Sequence, residues 1–116
     1  MKIHHLYTDD QGASHFEDLE ITYPIAQRAS RLSERLPATG IIFREVPATY
    51  NLDWHTAPRR QYMINLDNGV QMTASDGETR IINAGEVILV EDVTGKGHQS
   101  KAINGQVRHC IFVPID

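Results

Sequence analysis

The chain has 116 residues, room for one compact domain and little more. Its 41% hydrophobic and 22% charged residues match a globular average, which excludes a disordered tail, and no apolar run reaches bilayer-spanning length. The formal net charge is −4 and the eleven Lys and Arg are scattered from Lys2 to Arg108, so no basic block tracks a phosphate backbone and nucleic acid is not expected as a partner.

At the start, Met1-Lys2-Ile3-His4-His5-Leu6-Tyr7 runs into Asp9 and Asp10 before the continuous apolar stretch of a secretory signal can form. A cytoplasmic location is therefore expected, with no membrane association. His4, His5 and His15 show no ligand spacing among themselves and read as solvent-exposed. Further on, Ile25, Ala29, Leu32 and Leu36 recur at roughly helical spacing between Pro24 and Pro37. A helix this isolated is marginal without a docking surface, so residues 1–39 are expected to form an irregular or extended N-terminal arm with at most a turn or two of helix.

From Gly40 onward, short apolar runs of strand length alternate with Gly, Asn, Asp or Pro, the rhythm of an all-β sandwich or barrel. Ile41–Val46 ends at Pro47, and Gln61–Leu66 ends at Asp67-Asn68-Gly69, where Asn68-Gly69 is a hairpin signal. Val70–Ala74 alternates in polarity up to Asp76-Gly77, a second hairpin signal leading into Thr79–Ile82. Val87–Val90 is a continuous apolar strand, a further strand closes at Ile103 before Asn104-Gly105, and Val107–Val113 follows. Seven or so strands are thus expected in residues 40–116. The lone cysteine, Cys110, stands in the apolar run His109–Val113 and reads as a buried small hydrophobe.

Two segments concentrate polar side chains around the expected hairpins: Asp53–Tyr62, which contains Trp54, His55, Ala57, Arg59, Arg60 and Gln61, and Glu91–His98, which contains Asp92, Gly95 and Gly97. This arrangement resembles the cupin superfamily, small jelly-roll β-barrels (a double-stranded β-helix). The first cupin motif carries two histidines one residue apart and then a glutamate, and the second ends on a further histidine. The resemblance covers roughly residues 41–113 and implies a single cupin-like domain, with residues 40–116 as barrel core. In the family those four side chains bind a divalent metal at the barrel centre. Here His55 falls on the first histidine and Ala57 on the second; Gln61 falls on the glutamate if the hairpin at Asn68 is one residue longer than the family pattern, whereas strict spacing to Gly69 chooses Tyr62. Gln61 is preferred because its amide oxygen can coordinate or hydrogen-bond as a carboxylate would. His98 comes two residues late, an offset that Gly95 and Gly97 can absorb.

Two firm nitrogen donors and one amide fall short of the three ligands that a catalytic metal wants. His109 is the candidate replacement, since alternation puts it on one face with Ile111 and Val113, and an inward face would aim it at the barrel. Against the metal reading (iron, manganese, nickel or zinc on His55, Gln61, His98 and His109) stands a metal-free pocket in which His55, Gln61 and His98 hydrogen-bond a ligand. Pro58 precedes Arg59 and Arg60; with Gln61 inward, Arg59 also points in near the mouth as a clamp for a carboxylate, or pairs with Glu91 or Asp92. Trp54 and Tyr62 read as core or interface packing.

Three functions follow from the resemblance. The first is a binding module for a small, anionic molecule, with a depleted metal site. The second is a metal-dependent oxygenase or isomerase acting on a small organic acid. The third resembles the metal-free sugar epimerases of the same fold, with Tyr62 beside His55 as the acid–base pair. A homodimer is expected, because a long N-terminal arm needs a surface to cover it.

Overall fold

The computed structural model describes all residues, 1–116, as twelve strands and no helix, so no helix is long and apolar enough to cross a membrane. Residues 1–39, expected as an irregular arm, open instead with two seven-residue strands, β1 (Lys2–Thr8) and β2 (Ser14–Glu20). β1 lies parallel to β10 (Val87–Val90), with His4 opposite Ile88 and Leu6 opposite Val90. The reason is burial: Leu6 and Phe16 face inward beside Ile88, and all three belong to the hydrophobic core. A strand whose inner face carries so few apolar residues has little signature until its partner is known. From Ile21 on the segment is an almost wholly exposed arm, which includes a hairpin of β3 (Ile25–Gln27) and β4 (Ser30–Leu32) that turns through Arg28 and Ala29 at positive φ. The apolar spacing noted there is thus carried by extended chain.

Residues 40–116 supply eight strands: β5 (Ile42–Val46), β6 (Asn51–His55), β7 (Gln61–Asn65), β8 (Val70–Ala74), β9 (Thr79–Ile82), β10, β11 (His98–Ala102) and β12 (Arg108–Pro114). The larger sheet runs β2-β1-β10-β7-β12-β5 and the smaller β6-β11-β8-β9. They face each other as a jelly-roll sandwich, not closed into a barrel. Alternation sorts each strand: Gln61, Met63 and Asn65 of β7 and Val70, Met72 and Ala74 of β8 are buried, while the residues between them are half-buried.

Asp76-Gly77 makes the expected hairpin between β8 and β9, with Gly77 at φ +100°. Asn68-Gly69 does not, since β7 and β8 belong to different sheets and the turn carries the chain across the sandwich. Glycine is needed at 69 for space: a Cβ there would lie 2.8 Å from the Ile82 carbonyl oxygen and 3.0 Å from the Ile103 side chain. Cys110 is buried, and no second cysteine exists to pair with it.

Candidate functional site

Between the two sheets lies a cavity of about 240 Å³. Its apolar lining comes from Met63 of β7, Val70 and Met72 of β8 and Val90 of β10, with Tyr50 and Ser100, which lies opposite Met72 in register, adding hydroxyls. Polar groups gather at opposite ends of it, one set around His98 and Gln61 and the other around Arg108 and Arg44.

At the first end, β11 starts with His98, which is 5% exposed, and His55 ends the neighbouring strand β6, opposite His98 in register. The two rings lie 4.3 Å apart between centroids, tilted by 55°. His98 Nδ1 donates to Oδ2 of the fully buried Asp92 at 2.5 Å. His55 Nδ1 donates to the Asp53 carbonyl oxygen at 2.7 Å. A carbonyl only accepts, so His55 carries a proton on Nδ1 and, as a neutral ring, keeps a lone pair on Nε2; His98 likewise places its Nδ1–H on the Asp92 carboxylate. Burial, reinforced by the neighbouring His98, holds the His55 pKa below its ordinary value and favours the neutral ring.

The loop that delivers His98 depends on two glycines at positive φ. A Cβ on Gly97 would lie 2.1 Å from the His55 carbonyl oxygen, and one on Gly95 2.5 Å from that of Gly12. Besides supplying the freedom to absorb an offset, they let the loop pass against the end of β6 and the β1–β2 turn. Gln61, 3% exposed, shares the cavity with both histidines, and its Oε1 accepts from Arg59 Nη1 at 3.2 Å. Arg59 itself is exposed and pairs with neither Glu91 nor Asp92. Glu91 is held by Arg60 and by His5 Nε2, while the partner of Asp92 is His98.

Several sequence expectations are corrected at this point. His109 points away from the cavity, because Arg108 and Cys110 take the buried positions of β12 and leave the odd-numbered residues on the outer face. There it bonds Asp67 at 2.5 Å and Glu45 at 2.8 Å, which raises its pKa. Tyr62 also lies on the outer side of β7, between two inward residues, so it cannot act beside His55; the tyrosine that lines the cavity is Tyr50, whose hydroxyl shares a 2.6 Å hydrogen bond with Ser100. Trp54 is 48% exposed and does not pack in the core. His4, His5 and His15, expected in solvent, are half-buried and hydrogen-bonded to Glu86, to Glu17 and Glu91, and to Asp9 and Asp76 respectively.

The residues do not fit a divalent cation. Ala57 is buried and offers no donor, and the Gln61 amide oxygen already accepts from Arg59, so His55 and His98 alone remain, one ligand short of the three that a metal wants. No three His, Cys, Asp or Glu side chains cluster as a metal would require.

The second end was not read from the sequence. Arg108 is 2% exposed; its Nη1 donates to Asn65 Oδ1 at 2.7 Å and approaches Met63 Sδ at 3.3 Å, and its Nε has no partner. Arg44 lies beside it, its guanidinium carbon 5.0 Å from the centre of the Phe112 ring and 5.3 Å from that of Tyr50. Arg60 and Arg80 are paired with carboxylates, whereas Arg44 and Arg108 are not. Burial pulls the Arg108 pKa below its ordinary value, and the charge of Arg44 adds to this. The available signal was alternation with Cys110, which puts Arg108 on the buried face of β12 once Cys110 is placed in the core.

The architecture can be set beside known structures. The cupin domain of Cnp3 from Schizosaccharomyces pombe covers all of this chain and 83% of its own length, with a TM-score of 0.52 at 16% identity. This chain has the cupin fold. A Neisseria meningitidis protein, NMB1881, aligns over 80% of this chain and 90% of itself (TM-score 0.52, 17% identity). SPY1581 of Streptococcus pyogenes, a conserved protein of unknown function, aligns over 73% and 69% (TM-score 0.52, 19% identity). No family model matches the sequence, and no curated protein matches it. At these identities the cupin likeness speaks for the fold, and function rests on the site.

Proposed function

We propose that this cupin-fold chain binds a small anionic molecule in its cavity, held by Arg108 with Arg44 beside it. One observation carries the reading: a guanidinium that is 2% exposed lines an apolar cavity with no carboxylate to match it and one N–H unpartnered. Burying such a charge is costly unless a counter-charge arrives, and a forked carboxylate or phosphate is what a guanidinium matches best. The clamp role first read at Arg59 passes to Arg108 and Arg44, while Arg59 holds Gln61. His55, Gln61 and His98 then serve as hydrogen-bonding groups at the far end, and the metal site of the fold is depleted.

The test is a melting-temperature and calorimetry comparison of small carboxylates with their neutral amides. Carboxylates are expected to raise the melting temperature in a concentration-dependent way and amides are not, because only a ligand that binds the native state stabilises it by mass action. Equal shifts for both would overturn the anion reading.

A second reading, proton transfer without a metal, is favoured by the buried Asp92–His98 pair. An imidazole oriented by a carboxylate is a general base, and Tyr50 on the same cavity would be its acid. Loss of deuterium from a carbon next to a ketone carbonyl at the end of a bound keto acid remote from its carboxylate, abolished in His98→Gln, is the expected sign; retention of the label in the wild type would refute it.

A further inference from the structure

We infer that the outer face of the larger sheet is an interface, and that its occupant is a second copy of this chain whose N-terminal arm lies along the rim. This is independent of what the cavity binds.

The two outer faces of the sandwich differ in kind. On the smaller sheet the residues that alternate with the core are Gln71 and Thr73 of β8 and Gln99 and Lys101 of β11, as suits a face in water. On the larger sheet they are Val87 and Leu89 of β10, Tyr62 and Ile64 of β7, and Ile111 and Val113 of β12. Register makes these six one surface: Leu89 and Val113 flank Tyr62, and Val87 and Ile111 flank Ile64. Phe43 of the edge strand β5 lies opposite Ile111 and carries the patch to the rim, 75% exposed. Polarity is thus inverted on β7 and β12, where Gln61, Asn65 and Arg108 are the buried residues and the apolar ones face out. The cavity accounts for the inward polar groups, whereas an apolar outer face of this extent is the mark of a sheet covered on both sides.

The arm names the occupant. All six strand residues of the β3–β4 hairpin are exposed, and the arm's side-chain hydrogen bonds from Ser30, Arg31 and Ser33 run to its own carbonyls. A lone hairpin is marginal in water until it finds a surface. This one stands off the body, and the radius of gyration is 14.7 Å where a compact chain of this length has about 13 Å. The arm exposes Ile25, Leu32 and Leu36, and it carries Arg28, Arg31 and Arg35 against a single acid, Glu34. Carboxylates border the apolar face instead, Glu17 and Glu91 beside His5 on one side and Glu45 and Asp67 around His109 on the other. An apolar, basic arm and an apolar face with an acidic border, both in one chain, complement each other between two copies related by a two-fold axis. Area requires the arm as well. Six strands of up to seven residues make a face roughly 24 Å on a side, short of the about 800 Å² per partner that a stable interface buries.

Sedimentation equilibrium of the full chain tests this, with a dimer expected at micromolar concentration. Ile64→Lys puts a charge in the middle of the apolar face and should raise the dimer dissociation constant about a hundredfold. Phe43→Lys, at a side chain exposed in the single protomer, should act in the same direction and serves if Ile64→Lys does not melt cooperatively. Gln71→Lys, on the polar outer face, should leave the dimer unchanged. Reversing the arm with Arg28→Glu, Arg31→Glu and Arg35→Glu together should weaken it about tenfold at low salt. A monomeric wild type overturns the second copy as occupant. A dimer that survives Phe43→Lys and a folded Ile64→Lys, or that Gln71→Lys disrupts as strongly, overturns the choice of face. A dimer indifferent to the arm reversal overturns the arm's part in it.

Discussion

The two ends of the cavity hold polar groups under opposite terms. Around His98 most groups are matched within the protein, with Asp92 Oδ2 accepting from His98, the Asp53 carbonyl from His55 and Gln61 from Arg59, and Oδ1 of Asp92 alone left without a partner. Around Arg108 they are not, and two arginines stand together with an amide, a thioether and aromatic rings for company. One end is therefore preorganised around a buried carboxylate, and the other is a cationic pocket waiting for an external charge. Preorganised groups give orientation, whereas an unmatched buried charge gives affinity.

The largest expected change converts the first end into something it is not. Ala57→His would add an imidazole beside His55 and His98, and zinc should then survive dialysis in stoichiometric amount, as measured by elemental analysis of untagged protein. A wild-type protein that already retains one metal per chain would refute the donor argument. Next comes the second end. Arg108→Met should weaken carboxylate binding by about 3 kcal/mol, roughly a hundredfold, read by calorimetry on protein whose cooperative melt shows that it is folded.

Asp92→Ala acts on stability instead. It leaves the His98 Nδ1–H buried without an acceptor and opens a small void, at a cost of about 2 kcal/mol in denaturant titration. Carboxylate affinity should stay within about twofold of wild type, since the charged end is untouched. A large loss of affinity in this variant would merge the two ends into one network.

A smaller effect comes from pH. The His55 pKa is depressed below its ordinary 6.5, chiefly by burial, so between that value and the folded one the unfolded chain binds more protons than the native chain. Stability is then full above 6.5 and falls as pH drops below it, and in His55→Phe that part of the decline should vanish. Arg108, though its pKa is also lowered by burial, stays charged in this range and contributes no such slope. Smallest of all is Arg59→Ala: an exposed side chain with one 3.2 Å hydrogen bond to Gln61 should cost less than about threefold in carboxylate affinity.

Local pattern made some of this legible. β5, β7, β8, β9, β10 and β12 lie within a residue or two of where apolar runs and turn residues put them, and His55, Gln61 and His98, which the resemblance to the cupin motifs implies as a set, share one cavity. β1, β2 and β6 were not legible; in Lys2–Thr8 the adjacent pair His4-His5 between Ile3 and Leu6 breaks any polar–apolar alternation, and the strand acquires its inner face only by pairing with β10. His109 shows the same limit in one residue. Alternation correctly grouped it with Ile111 and Val113, but alternation has two phases, and nothing local to the strand says which one faces in.

The sequence by itself determined the all-β class, most strand positions, the hairpin at Asp76-Gly77 and the lack of a donor at Ala57, since these depend on residue type and near neighbours. Tertiary structure alone decided that Asn68-Gly69 crosses between sheets, that β1 lies beside β10, that Asp92 meets His98 and that Arg108 and Arg44 share a cavity without an acid. Each of those depends on which face of a strand is buried and what stands across from it, and that is settled when the two sheets bury their apolar faces against each other.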